Sequence, residues 1–181
     1  MPQHPELRTE RLLLRDFRRE DIPDIVRLAG AREVAATTLR IPHPYTEANA
    51  EQFLKMRQEE KFGYSFAITL LGSGELCGGV GLHPDPVHPR AELGYWIGVP
   101  YWGHGYATEA ARAVLGFGFR QLKLQRIFAH HFAGNGASAG VLQKIGMKPE
   151  GCSRKHVEKW GKLLDLENYG ILESEWRDTN P

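Results

Sequence analysis

The stretch Val99-Pro-Tyr-Trp-Gly-His-Gly-Tyr-Ala-Thr-Glu109 carries the strongest chemical signal in the chain. A strand-like apolar run ends there, a short turn holding Gly103 and Gly105 follows, and a helix-like run begins. Gly103, Gly105 and Ala107 are small enough for a ligand to approach the backbone. The first amides of a helix lack partners within it and carry the positive end of its dipole. Such a terminus binds anions, phosphate above all. Read as a phosphate site, the segment supplies the amides of Gly103, His104, Gly105, Tyr106, Ala107 and Thr108. A tight strand-to-helix turn without a ligand would use the same glycines, so the turn alone leaves both readings open.

Two familiar phosphate loops are excluded by missing residues. A Walker A loop needs Gly-Lys-Ser/Thr, and this chain has Gly105-Tyr106-Ala107-Thr108, without the lysine. A dinucleotide fingerprint wants a third small residue at 108 and an acidic ribose ligand about 20 residues on. Position 108 is threonine, and residues 123–132 contain no acid.

The elements that must position this loop can be read from periodicity. Leu7 to Arg15 reads as a strand and Arg19 to Gly30 as a helix, with Ile22, Ile25, Val26 and Leu28 near helical spacing. Residues 36–46 hold Pro42 and Pro44 and read as loop. Thr46 opens a helix expected to run to about Lys61, facing inward through Ala50, Phe53, Leu54 and Met56. Tyr64 to Leu71 and Glu75 to His83 flank Gly72-Ser73-Gly74 as a hairpin. Ala91 to Val99 is a third strand, and Gly105 to Phe119 a helix with Ala107, Ala110, Ala111, Val114 and Leu115 on one face. A strand over Arg126 to Phe132 follows, then a helix over Gly136 to Ile145 with Gly146 as its C-cap. Lys148 to Val157 and Leu163 to Leu172 are closing strands. This order implies an α/β domain: a mixed central sheet of about six to seven strands flanked by about four helices.

Composition bounds what surrounds the site. The 181 residues fit one domain, expected over 1–181. The formal net charge of +1 gives no global basic field, and the runs of Lys and Arg are short, so no nucleic-acid partner is expected. No apolar run reaches the roughly 18 residues of a membrane helix. The N-terminus, MPQHPELRTERLL, carries charge where a signal peptide is apolar. Cys77 and Cys152 form no framework or CxxC motif and fit a reducing compartment. A cytoplasmic protein without a membrane partner is the expectation. None of His83, His88, His104, His130 and His131 pairs at i, i+4 on a helix or with Cys at ligand spacing, so no metal is expected.

Trp102-Gly-His-Gly105-Tyr-Ala107 is similar to the Gln/Arg-x-x-Gly-x-Gly/Ala pyrophosphate loop of the GNAT N-acetyltransferase superfamily. The longer string Glu92-Leu-Gly-Tyr-Trp-Ile…Trp102-Gly-His-Gly-Tyr-Ala-Thr-Glu109-Ala resembles its Rim-type subgroup, which contains the ribosomal-protein N-terminal acetyltransferases. So do Asn135-Gly-Ala-Ser138…Val141-Leu142-Gln-Lys144-Ile-Gly146-Met147, Glu150-Gly151 and Leu7-Arg-Thr-Glu-Arg-Leu-Leu-Leu-Arg15. The likeness spans nearly the whole chain in the right order. Two positions depart from it: the loop opens with Trp102 rather than Gln or Arg, and Leu142 stands where many of these enzymes have a tyrosine general acid.

The resemblance implies a GNAT fold with acetyl-CoA as co-substrate and a neutral amine attacking the thioester directly. The pantetheine arm would lie along the 91–99 strand, with a backbone N–H among Ile97, Gly98 and Val99 holding the oxyanion. Such a donor is worth on the order of 3 kcal/mol. Glu92 is the first candidate base, its alternative being a partner for an arginine. His83 is a second, its alternative being a surface histidine at a loop entry. His156 and Glu158 lie near a base position of the subgroup, with Val157 between them. Ser138 matches a serine that protonates the leaving thiolate; it could equally cap a helix. Asn135 is expected to contact the cofactor through its amide. Tyr45, Phe62, Trp96, Tyr101 and Trp102 are candidates for the acceptor pocket.

The acceptor implied by the subgroup is a protein N-terminal amine. A small amine (polyamine, aminoglycoside or amino acid) is the alternative, and a non-catalytic acyl-CoA-binding module is a rival of another class, kept open by Leu142. A homodimer stays open, with no residue pointing to it.

Overall fold

The computed structural model describes residues 5–59 and 63–177. The N-terminal strand divides into β1 (Leu7–Arg8) and β2 (Leu12–Arg15). Thr9 makes the break: its amide donates to the Leu12 carbonyl at 2.9 Å, and its hydroxyl accepts from the Leu12 amide at 3.0 Å. Leu12 and Leu14 point into the core, fully buried.

Helix α1 (Ile22–Ala29) buries Ile22, Ile25 and Leu28. It starts three residues later than expected because Arg19–Asp21 forms a 3-10 turn. Pro23 then sits in the first helical turn, where its missing N–H costs nothing. A second helix, α2 (Arg32–Thr37), was not expected, and it runs into the segment read as loop. Six residues are too short to show a period, and burial of Val34 and Ala35 holds them. Helix α3 (Glu47–Glu59) opens on a reciprocal cap: the Thr46 amide donates to Asn49 Oδ1 at 2.8 Å and the Asn49 amide to Thr46 Oγ1 at 3.3 Å. Its expected end at Lys61 lies outside the described residues.

Then follow β3 (Tyr64–Leu70), β4 (Leu76–Pro84), β5 (Arg90–Ile97), α4 (Tyr106–Arg120), β6 (Arg126–Phe132), α5 (Gly136–Lys144), β7 (Lys148–Lys159) and β8 (Lys162–Leu172). Helix α5 ends at Lys144 with Ile145 as its C-cap, one residue earlier than expected, and Gly146 follows at φ 90°. The eight strands make one sheet in the order β1-β2-β3-β4-β5-β6-β8-β7. Every pairing is antiparallel except β5 with β6. The strand beyond the expected six to seven comes from the break at Thr9, and the helix beyond the expected four is α2.

Period-two alternation sorts the side chains onto two faces. Val80, Leu82, Leu93, Ile97 and Ile127 pack with α4 through Ala110, Ala111, Val114 and Leu115. Trp96 and Ala67, on the other face, pack with Ile25 and Leu28 of α1 and Ala50 of α3.

The sheet is not closed along its middle. β5 pairs with β4 from Ala91 to Ile97. With β6 it pairs only at Arg90–Arg126, Ala91–Ile127 and Glu92–Phe128. Past Glu92 the two strands diverge, and β6 continues against β8 from Ala129 to Phe132. The divergence opens a notch through the sheet, and Glu92, Tyr95 and Ser138 lie on or near its rim.

Candidate acyl-transfer site

The loop between β5 and α4 has the form of an anion cradle. Gly103 and Gly105 sit at φ 79° and 81°, where a side chain is strained, and Gly105 is the residue preceding α4. The first bond of the helix runs from the Glu109 amide to the Gly105 carbonyl at 3.1 Å. The amides of Tyr106, Ala107 and Thr108 therefore precede the intrahelical ladder, and no side chain caps them. Nothing lies within 4 Å of where a Cβ on Gly103 would be.

Residues distant in sequence hold that loop. Arg11 donates from Nη1 to the His104 carbonyl at 3.0 Å and from Nε to Glu109 Oε2 at 2.7 Å. Its amide and the Thr9 hydroxyl both donate to Glu109 Oε1, at 2.8 and 2.6 Å. Burial would raise the pKa of Glu109, but these donors outweigh it and hold the carboxyl below its usual value. The Arg11 guanidinium also lies 4.9 Å over the Tyr106 ring, and His104 stacks on that ring at 5.4 Å. Trp102, where the resembled loop has Gln or Arg, donates its indole N–H to the Ile97 carbonyl at 2.7 Å. It acts as a brace between strand and loop rather than as an anion ligand.

The strand edge facing the notch can be read from its hydrogen bonds. The Gly98 amide donates to the Cys77 carbonyl at 2.8 Å, on the β4 side. In an antiparallel ladder successive amides point to opposite edges. Tyr95 and Ile97 therefore turn their N–H groups away from β4, into the notch. The Ile97 carbonyl, bonded by Trp102, agrees with this alternation. Of the three residues expected to supply an oxyanion donor, Gly98 is thus corrected: its amide is already committed, and Ile97 offers the one that faces the opening. Val99 lies beyond the strand, at the start of a 3-10 turn.

A cavity of about 510 Å³ occupies the notch and continues over the α1/α3 face. Glu92 lines it from that face, its Oε1 3.7 Å from His130 Nε2 and its Oε2 3.6 Å from Arg40 Nη2. His83 is its cross-strand neighbour on β4 and lines the same space. Gly94 leaves the floor open, since a Cβ there would meet nothing within 4 Å. Arg57 donates to the Ser65 hydroxyl at 2.6 Å on a further wall. The roof is the segment after α2: Leu39 and Ile41 line the cavity, and Lys159 of the β7–β8 hairpin donates to their carbonyls at 3.3 and 2.7 Å. Burial among these groups lowers the Lys159 pKa.

Ser138 reaches the same cavity from the α5 side, where its hydroxyl lies 2.7 Å from the Tyr95 hydroxyl. Burial pushes the Tyr95 phenol up to about 12, against a smaller opposing effect of the Ser138 hydrogen bond. The helix-cap alternative for Ser138 falls away. Asn135 is the cap, accepting the Ser138 amide on Oδ1 at 3.1 Å and keeping its carboxamide nitrogen for other contacts.

Other expected residues are placed elsewhere. His156 and Glu158 lie exposed on β7 and do not line the cavity. Of the pocket aromatics, Tyr45 and Trp96 line it; Tyr101 and Trp102 do not, and Phe62 lies outside the described residues. Leu142, which has no acidic proton, is fully buried in the core on the α4/α5 face. Arg11, Tyr95 and His130 gained no site role from the sequence. Period two puts Tyr95 on the face of Leu93 and Ile97, but only the placement of α5 gives it Ser138.

An uncapped helix start, a split between two parallel strands and a cavity lined by a carboxylate and a pair of hydroxyls lie together around the end of β5. Residues 11–148 match the family model described as the acetyltransferase (GNAT) domain. The chain belongs to this family, and it is an acyltransferase. A GNAT-family acetyltransferase from Bacillus anthracis is 30% identical, with a TM-score of 0.86 covering 94% of this chain and 100% of that one. Two more distant structures share the fold. RimJ of Mycobacterium smegmatis, in complex with CoA-disulfide, is 22% identical with a TM-score of 0.82, over 94% of this chain and 87% of that one. Spermidine N-acetyltransferase of Vibrio cholerae, in complex with CoA and spermine, is 23% identical with a TM-score of 0.80, over 91% of this chain and 96% of that one. Among the described residues no helix is long and apolar enough to cross a membrane.

Proposed function

We propose that this chain, as one domain over 1–181, moves the acetyl group of acetyl-CoA to a primary amine by direct attack, and that the amine is an α-amine such as a protein N-terminus. One observation carries the reading: a single cavity has Glu92 on one side of the notch and Ser138 on the other, with the open edge of β5 between them. The α4 amides and Asn135 would hold the phosphates and the arm of CoA. Glu92, with His130 and His83 beside it, takes the ammonium proton directly or through water. The neutral amine attacks the thioester carbon, the Ile97 N–H receives the oxyanion, the nitrogen of the tetrahedral intermediate gives its second proton to water, and Ser138 meets the sulfur as the C–S bond breaks.

Two arguments favour an α-amine. Presenting a neutral amine at pH 7 costs about 4.6 kcal/mol for a lysine-like amine of pKa ~10.4 but roughly 1 kcal/mol for an α-amine near 7.7–8. The weaker demand suits a site whose one carboxylate, among the described lining residues, is Glu92. Arg40 and Arg57 line the same cavity, so a polycation would meet like charge there.

Thiol release from acetyl-CoA tests the proposal, measured against short peptides with free N-termini, single amino acids and spermidine. Peptide-dependent release, with the acetyl group found on the N-terminus by mass spectrometry, is the expected result. Release with spermidine alone would overturn the α-amine reading, and no release with any amine would overturn the transfer reading.

A further inference from the structure

Tyr95 and Ser138 close the notch from opposite arms, one on β5 and one on α5. The Tyr95 oxygen lies 2.7 Å from Ser138 Oγ and 3.3 Å from the Ser138 carbonyl oxygen. Each hydroxyl has one hydrogen and can accept others, so two arrangements fit. In one, Tyr95 donates to Ser138 Oγ, and the serine hydrogen must turn to a third group. In the other, the serine donates to Tyr95, whose own hydrogen is left with the longer contact to the carbonyl. The first gives the tyrosine hydrogen the closer acceptor. It also leaves the serine hydrogen directed at the cavity, where a negative sulfur would draw it.

We infer that Tyr95 is a positioning residue for acyl transfer: its hydrogen occupies the Ser138 oxygen, and the serine hydrogen is thereby aimed at the departing thiolate. The inference rests on the proposed placement of Ser138 beside the thioester sulfur. In the step, the C–S bond breaks and its electron pair stays on sulfur. Ser138 donates a hydrogen bond to that charge without giving up its proton, and the thiolate leaves to be protonated by solvent. Tyr95 keeps its proton throughout, as a phenol pushed up to about 12 by burial would. The pair thus stabilises the thiolate charge by hydrogen bonding in a site where Leu142 supplies no acid.

The test compares Tyr95→Phe, Ser138→Ala and the double variant in single-turnover acetyl transfer to a peptide amine, with CoA affinity followed by thermal shift. A hydrogen bond to a developing charge is worth roughly 1.5–3 kcal/mol, so each single variant should lose about tenfold or more in rate. CoA affinity should stay within about twofold of the parent, and the double variant should be no slower than Ser138→Ala alone, because Tyr95 acts only through the serine. Tyr95→Phe at full rate, with Ser138→Ala slow, overturns the role of Tyr95 alone. Multiplying losses in the double variant overturn it too, since Tyr95 would then act separately. Ser138→Ala at full rate overturns the placement of Ser138 beneath it.

Discussion

Arg11 and Glu109, 98 residues apart in sequence, are joined by three hydrogen bonds or close ion contacts: Arg11 N–H to Oε1 at 2.8 Å, and Nε and Nη2 to Oε2 at 2.7 Å each. The pair ties the β1–β2 turn to the first turn of α4, and Arg11 also holds the His104 carbonyl. The loop before α4 is therefore shaped from outside its own segment. Glu109→Gln keeps the shape and removes the charge. It should weaken CoA binding by about tenfold, the scale of one charge-assisted hydrogen bond, while the apo protein stays folded. Isothermal titration of CoA checks this; unchanged affinity would mean the loop holds its form without the pair. The Glu109 pKa is depressed in the fold, so its contribution is complete above the unfolded glutamate value near 4.3. It is lost as pH falls through the lower folded value. Parent and Glu109→Gln melting temperatures should therefore converge in acid.

Gly105 is the residue where backbone conformation and ligand access coincide. At φ 81° a β-branched side chain is strained by roughly 1–2 kcal/mol, and its Cβ would lie 3.5 Å from Arg11 Nη2, the side chain that braces the loop. Gly105→Val should abolish the thermal shift given by CoA while lowering the apo melting temperature only modestly. Retained CoA affinity would remove the phosphate from this loop.

Glu92, the proposed base, lines the cavity. Glu92→Gln should slow single-turnover transfer by about 100-fold or more, the usual range for a general base, with CoA affinity preserved. The loss should be greatest at neutral pH and shrink toward alkaline pH, where an α-amine is already neutral. An unchanged rate would pass the base role to His83 or His130, the other titratable groups on that wall.

In the proposed reaction Gly94 borders the acceptor. A side chain there meets no neighbour, and its position on the α1/α3 face separates it from the Tyr95–Ser138 side. Gly94→Val should raise KM for the acceptor by about tenfold or more, as a methyl-scale obstruction in a pocket does, and leave the CoA thermal shift intact. If acceptor KM is unaffected, the amine enters elsewhere.

Much of this architecture was present in the order of residues. Period two and period 3.6 are local properties, so β3, β4, α4 and the short α5 with Gly146 just past its end could be placed from side-chain spacing alone. The glycine turn at 103–105 and the family motifs around it could be read for the same reason: a helix start and its small residues are neighbours in the chain. Local pattern failed where burial or contact decided the outcome. α2 exists because Val34 and Ala35 find a core, and the strand at Leu7 breaks because the Thr9 hydroxyl competes for the backbone. The site itself depended most on tertiary structure. Pairing with β4 commits the Gly98 amide and turns that of Ile97 the other way, only the divergence of β5 from β6 leaves the Ile97 amide facing open space, and only the packing of α5 against α4 and β6 brings Ser138 to Tyr95. These relations join residues tens of positions apart through strand pairing and helix packing, and no spacing along the chain encodes a distance between two elements that meet only in the folded sheet.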